Sequence, residues 1–201
     1  SIENTTGIGI FMLSTQVRMI DLMIRGNSGY GVLTANRVFL ERVSAIGNAA
    51  TAGSNAAGIL VASESLLLDC HSASNTGVGI NAGAYAVLAR CSAEQNTREG
   101  ITVGATALVQ ACVSQGNGLA GITMQHSGVA DGCVSISNGG VGISGSFGAI
   151  VRECAAVGNS GGGITVWEGA LVARCTAHSN TGDGIILSTG CLATGCMAAS
   201  N

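Results

Sequence analysis

The repeat predicts an all-β chain wound as a single right-handed parallel β-helix, a solenoid of about nine coils. Three observations carry that reading. Cysteine recurs with a period of 21 residues, at Cys70, Cys91, Cys112, Cys133, Cys154, Cys175 and Cys196. An asparagine stands five residues after each, and the same column extends back through Asn48 and Asn27. A glycine followed by Ile or Val opens every repeat, from Gly9-Ile10 and Gly31-Val32 to Gly163-Ile164 and Gly184-Ile185. A fixed period of this size marks stacked supersecondary units, none of which buries its apolar face alone.

The coil that ends at Asn180 shows the elements in order. Gly163-Ile164-Thr165-Val166 comes first, then a short loop, Leu171-Val172, and Cys175-x-Ala177. Alternation within Ile-x-Val and Cys-x-Ala is a period of two, the mark of strands, and the runs are too short and glycine-punctuated for helices. Each coil is therefore expected to hold two or three short strands, stacked in parallel on those of the next coil. Parallel crossovers are overwhelmingly right-handed. At about 4.8 Å per coil the rod is expected to be on the order of 43 Å long. Two residues past the cysteine column sits a small side chain: Ala45, Ser72, Ala93, Ser114, Ser135, Ala156, Ala177 or Ala198.

The asparagines Asn27, Asn48, Asn75, Asn96, Asn117, Asn138, Asn159 and Asn180 fall at the turn after the Cys-x-Ala strand. A side-chain amide there can bond turn backbone groups and also the equivalent amide one coil away, which makes a ladder. The Gly-x-Gly that follows is expected to take positive φ at this corner. Between Asn48 and Ile59 the repeat is lengthened by Ala-Ala-Thr-Ala-Gly-Ser, expected to be a tolerated surface loop. Consecutive apolar residues before the cysteine (Leu66-Leu67, Val87-Leu88, Leu108-Val109, Ile150-Val151, Leu171-Val172) leave two readings open. Either a bend turns both inward, or one column is exposed and marks a partner surface.

Composition narrows the function classes. All 8 basic residues are arginine, against 11 acids, for a net charge of -3. That balance argues against nucleic acid as a partner, because phosphate neutralisation needs clustered cations. Apolar residues make up 47% of the chain but are spread evenly, so no membrane span is expected. Residues 1–201 are expected to form one β-helix domain, uncapped at its ends or a segment of a longer solenoid.

The string Leu171-Val172-x-x-Cys175-x-Ala177-x-x-Asn180-x-Gly182-x-Gly184-Ile185 resembles the parallel β-helix repeat of the pectate-lyase-like superfold, over essentially the whole chain. The resemblance implies the fold. Its functional reach is wide, taking in polysaccharide lyases, hydrolases, epimerases, phage tailspikes, adhesins and repeats without known activity. Enzymes of this family commonly place clustered aspartates, with calcium, arginine or lysine, on one face. Here the aspartates are Asp21, Asp69, Asp131 and Asp183, with no lysine and no acidic column. No cofactor, metal or catalytic residue is therefore expected; in an enzyme, Asp131 and Glu153 would be the pair to test.

One neighbourhood is richer than the rest. Asp131, Arg152, Glu153 and Arg174 fall on consecutive coils, and loops of the same coils carry His126, Phe147, Trp167 and Glu168. Aromatic faces beside carboxylates and arginines suit a sugar surface, and carboxylates one or two coils apart could span glycosidase distances. The arginines favour ionised acids, which suits binding better than general-acid work. Asp21, Arg42, Asp69 and Arg90 read as a surface ion-pair ladder. Thr102, Thr123, Ser144 and Thr165 form a hydroxyl file, shorter than ice-binding arrays. Cysteines stacked with parallel Cβ vectors are poorly placed for disulfides, and a line of sulfurs does not surround a metal, so buried free thiols are expected. Cys191 lies off the column, and a local bridge to Cys196 stays open.

Neither end shows a cap, which suits a piece of a longer solenoid or a subunit stacking head to tail. The reading adopted is a non-catalytic extracellular or cell-surface structural rod that can self-associate through its coil ends. The alternatives are a polysaccharide-active β-helix and a carbohydrate-binding or adhesin module.

Overall fold

The computed structural model describes residues 1–49 and 56–201, so the insertion expected after Asn48 lies, beyond Ala49, outside the described residues. Within them each coil is three short strands and their turns, with no helix. One coil contributes Ile101–Val103, Leu108–Gln110 and Val113–Gln115, and the next Ile122–Met124, Val129–Asp131 and Val134–Ile136. Each strand pairs in parallel with its counterpart one coil on: Ile101 with Ile122, Leu108 with Val129, Val113 with Val134. A slip of one residue would turn Ile101 and Val103 out to solvent, so burial pins the register. The result is a solenoid with three faces around one interior. The first face is a 9-stranded sheet, and the second and third are joined in a 17-stranded sheet. In two early coils the second and third faces are single strands, Arg18–Arg25 and Phe39–Ile46.

Corners set the shape. Each face ends at a residue of positive φ, and these positions recur at five-residue intervals within a coil. Tyr85, Arg90 and Gln95 have φ of 58, 53 and 52°, and Thr106, Ala111 and Gly116 follow with 57, 50 and 63°. A left-handed conformation costs a residue with a side chain about 1–2 kcal/mol. The corner keeps its backbone bonding in return: Tyr85 N donates to Ala105 O at 2.9 Å, Arg90 N to Gln110 O at 3.0 Å, and Gln95 N to Gln115 O at 3.0 Å. The second corner also resolves the consecutive apolar columns. Leu67, Leu88, Val109, Val151 and Val172 are buried, whereas Leu66, Val87, Leu108, Ile150 and Leu171 lie half-buried on the outside of the second face. The bend before each cysteine then brings the cysteine inward as well.

At the asparagine corner the structure corrects one expectation. Positive φ falls on the residue before the asparagine (Ser74, Gln95, Gly116, Ser137), and of the described glycines of the Gly-x-Gly segments Gly77 alone is positive, at 143°. The glycine that opens each coil is needed for room instead. A Cβ on Gly142 would lie 2.6 Å from Asn159 Nδ2 and 2.7 Å from Gly163 O.

Side chains inside the coil form vertical files. Ile80, Ile101, Ile122, Ile143 and Ile164 are fully buried in succession, each stabilising the fold by about 1.5–3 kcal/mol. The asparagine file is buried too, and its amides are fully used. Asn117 Nδ2 and Asn117 N both donate to Asn138 Oδ1, at 2.9 and 3.0 Å. Asn117 Nδ2 also donates to Ala93 O at 3.0 Å and to Ser114 Oγ at 3.0 Å. Ser114 Oγ in turn donates to Gly121 O at 2.8 Å, tying the small-residue column to the opening glycine. At the start of the chain Thr5 takes the asparagine position, its N and Oγ1 both donating to Asn27 Oδ1.

All eight cysteines are free, Cys191 and Cys196 included, so the bridge left open between them is not formed. Cys70 to Cys175 are buried, and their thiols bond backbone carbonyls, as Cys133 Sγ does Val109 O at 3.2 Å. Its bond with the Cys112 sulfur, together with burial, pushes the Cys91 thiol up to about 12.

Candidate functional site

The sequence places an aromatic residue in the turn between the first and second faces on three successive coils. His126 follows the strand Ile122–Met124, Phe147 follows Ile143–Gly145, and Trp167 follows Ile164–Val166. The turn itself is tight: Ser127 and Gly148, in the left-handed region, directly follow His126 and Phe147, whereas in the third coil Glu168 precedes the left-handed Gly169 and Trp167 stands one residue earlier. His126 and Phe147 stack with ring centroids 5.3 Å apart at 30°, and Phe147 and Trp167 lie 6.2 Å apart at 47°. These spacings fall in the favourable range for aromatic pairs. Phe147 is 44% exposed and Trp167 55%, so the stack offers ring surface to solvent rather than to the core. Glu168, next to Trp167, is exposed on the same corner.

Beside Trp167 the first face carries a groove of about 330 Å³, lined by Thr165, Val166, Trp167, Ile186, Leu187 and Ser188. Register explains its composition: Thr165 pairs with Ile186 one coil on. The hydroxyl file of Thr102, Thr123, Ser144 and Thr165 thus ends against an isoleucine. Thr165 Oγ1 is left buried without a hydrogen-bond partner.

The charged residues sit elsewhere. Asp131 and Arg152 end their strands on the second face and pair at 2.9 Å. Glu153 is the left-handed corner residue of its coil and pairs with Arg174 at 2.5 Å. The bond to Asp131 raises the Arg152 guanidinium above its ordinary value. From the aromatic corner at Ser127 to Asp131 is four residues of extended chain, about 13 Å. The structure therefore brings the three aromatics together and pairs the four charges, but sets the two groups at opposite edges of one face. The ion-pair ladder is present, with Arg42 on Asp21 at 2.6 Å and Arg90 on Asp69 at 2.7 Å. Among the described residues no group of three or more His, Cys, Asp or Glu is placed to hold a metal ion.

The aromatic recurrence was legible as a near-21-residue spacing. The groove was not, because it depends on Ile186 following Thr165 in the outward column of the first face, where Asn81, Thr102, Thr123, Ser144 and Thr165 are polar but Phe11, Leu33 and Leu60 precede them.

The family described as right handed beta helix region matches residues 6–171, and the chain belongs to it. No curated protein sequence matches the chain. Solved structures share the fold at low identity. The periplasmic alginate epimerase AlgG is 15% identical with a TM-score of 0.59, over 83% of this chain and 48% of that one. Tailspike protein 2 from the Escherichia coli O157:H7 bacteriophage CAB120 is 11% identical with a TM-score of 0.61, over 98% of this chain and 34% of that one. The Dettilon tailspike protein is 11% identical with a TM-score of 0.57, over 95% and 55%. The chain thus spans about half the length of the epimerase and a third of the first tailspike. No helix among the described residues is long and apolar enough to cross a membrane.

Proposed function

We propose that the protein is a carbohydrate-binding β-helix that holds an extended polysaccharide along the rod, over the file His126, Phe147 and Trp167. The single observation that carries this is the solvent-facing aromatic stack at one coil spacing per ring. A sugar ring presents an apolar C–H face and a rim of hydroxyls, and exposed aromatic surface binds that face. The similar folds of a periplasmic alginate epimerase and two tailspikes support a polysaccharide ligand and a location outside the cytoplasm. Arg152 and Arg174 belong to this reading as the cationic edge of the same face, and Asp131 and Glu153 as the groups that orient them.

The test uses the chain's one tryptophan as reporter. Titration with a panel of neutral and acidic oligosaccharides should change Trp167 emission for at least one class. Phe147→Ala should weaken that binding by up to about tenfold, the worth of one aromatic contact. A panel that leaves Trp167 emission unchanged, with calorimetry equally silent, refutes the proposal.

A second reading, the non-catalytic structural rod, is favoured by the unbroken asparagine ladder from Asn27 to Asn201. Light scattering that finds only monomer at high concentration would remove self-association through coil ends.

A further inference from the structure

We propose that the glycan carried on the aromatic file is uncharged, and that a neutral polar face beside the rings reads its hydroxyls without ion pairing. The inference rests on the carbohydrate reading above and narrows it to neutral polysaccharides as the ligand class. Two observations carry it, one about what the face offers and one about what the chain lacks.

On the first face Thr102, Thr123 and Ser144 stand outward in register on successive coils. Two residues on, about 7 Å along the strand direction, Gln125 and Ser146 continue the ladder, Gln125 N donating to Val103 O and Ser146 N to Met124 O, each at 3.1 Å. His126 and Phe147 follow them directly, so each coil presents a polar strip that leads up to a ring. The hydroxyls inside the coil are spent: Ser72, Ser114 and Ser135 donate to the carbonyls of Gly79, Gly121 and Gly142 at 2.6, 2.8 and 2.8 Å. Those of Thr102, Thr123 and Ser144, with the Gln125 amide, hold no partner within the protein. A hydroxyl or amide both donates and accepts, which matches a sugar hydroxyl, whereas an ionised carboxylate only accepts.

The chain also has no cation to spare. All 8 of its basic residues are arginine, and each is ion-paired with an acid of its own, Arg152 with Asp131 and Arg174 with Glu153 among them. The acids outside these pairs are Glu94, Glu168 and Asp183, and Glu168 stands beside Trp167 on the aromatic corner. A uronate laid on the rings would lose hydration without gaining a counter-charge and would face a like charge. If it took Arg152 it would strand Asp131 beside it, and the exchange brings no net attraction. Arg152 and Arg174 therefore serve the ligand as N–H donors to hydroxyls, while their charge stays with Asp131 and Glu153.

The full chain is titrated, by calorimetry and Trp167 emission, with oligomers of equal length at low and at high salt. The neutral set is cello-, manno- and chito-oligosaccharides, and the acidic set is oligomannuronate and oligogalacturonate. At least one neutral oligomer should bind about tenfold or more tightly than either uronate, the penalty of a carboxylate left without a counter-charge. Its affinity should hold as salt rises, because no ion pair is being screened. Thr123→Val keeps the shape and removes the outward hydroxyl, and it should weaken that oligomer about fivefold, the worth of one neutral hydrogen bond, with circular dichroism confirming the fold. A uronate that binds as tightly as the neutral oligomers, neutral binding that falls with salt, or Thr123→Val binding unchanged overturns the proposal. If uronates bind best and Phe147→Ala weakens them, the neutral class fails and the wider reading stands. If no saccharide of any kind binds, both fail.

Discussion

Asn138→Ala cuts one rung from the middle of the asparagine ladder, and the structure sets its cost. Asn138 Oδ1 accepts from Asn117 N at 3.0 Å and Asn117 Nδ2 at 2.9 Å. Asn138 Nδ2 donates to Asn159 Oδ1 at 2.9 Å, Ser114 O at 3.1 Å and Ser135 Oγ at 3.0 Å. All of these atoms are buried. Alanine leaves Asn117 N without an acceptor, whereas Asn117 Nδ2 keeps Ala93 O and Ser114 Oγ; one buried orphan costs about 1–3 kcal/mol. The variant should therefore be destabilised by about 1–3 kcal/mol, a sizeable part of the roughly 5–15 kcal/mol that holds a typical domain. Urea unfolding followed by circular dichroism measures it, with Asn201→Ala as the comparison. Asn201 is exposed, so its loss leaves donors that water can reach and should cost far less. A loss below about 1 kcal/mol for Asn138→Ala, or equality of the two variants, would refute the view that the ladder acts through buried bonding.

Glycine substitutions should split by cause. Gly142→Ala meets Asn159 Nδ2 and Gly163 O and should be strongly destabilising, whereas Gly132→Ala meets nothing within 4 Å at φ +61 and should cost about 1 kcal/mol; comparable melting temperatures would contradict this. Native protein should expose only Cys191 and Cys196 to a thiol reagent, with the six buried thiols reacting after unfolding; rapid native labelling of all eight would show the interior is open. Asp21 and Asp69 are held below the ordinary value of 3.8 first by hydrogen bonds from Arg42 and Arg90. Their contribution is present above the unfolded pKa and is lost as pH falls through the lowered folded values. Thermal melts should therefore soften below pH of about 4, less so in high salt, and a melt flat across that window would count against the pairs.

The coil was legible in the sequence because every column that builds it repeats. Ile101, Ile122 and Ile143 declare an inward file, and Asn117 and Asn138 a bonded one, without any structure. Which of Leu108 and Val109 faces inward was not legible. The answer depends on the backbone conformation of Ala111, a residue with no preference that would betray a left-handed bend. The same blindness misassigned the glycines: Gly142 and Gly163 look like turn residues and are in fact contact residues. Of the candidate site, the stacked His126, Phe147 and Trp167 followed from spacing. Their separation from Asp131 and Arg152 did not, because it needs the position of the corner at Ser127.

The ladder has a direction. Every amide from Asn27 to Asn180 donates toward the coil that follows it and accepts from the coil before. The asparagine-to-asparagine bond and the asparagine backbone N–H of a winding are therefore completed only by its successor, although the amide already bonds the coil before, as Asn117 Nδ2 does Ala93 O. During synthesis at about 5–20 residues per second, each newly emerged turn waits for the next 21 residues, roughly 1–4 s, with its asparagine N–H unmet. The ribosome thus extrudes a structure that is always one turn short of finished, and that sets an order of closure running from the N-terminal end.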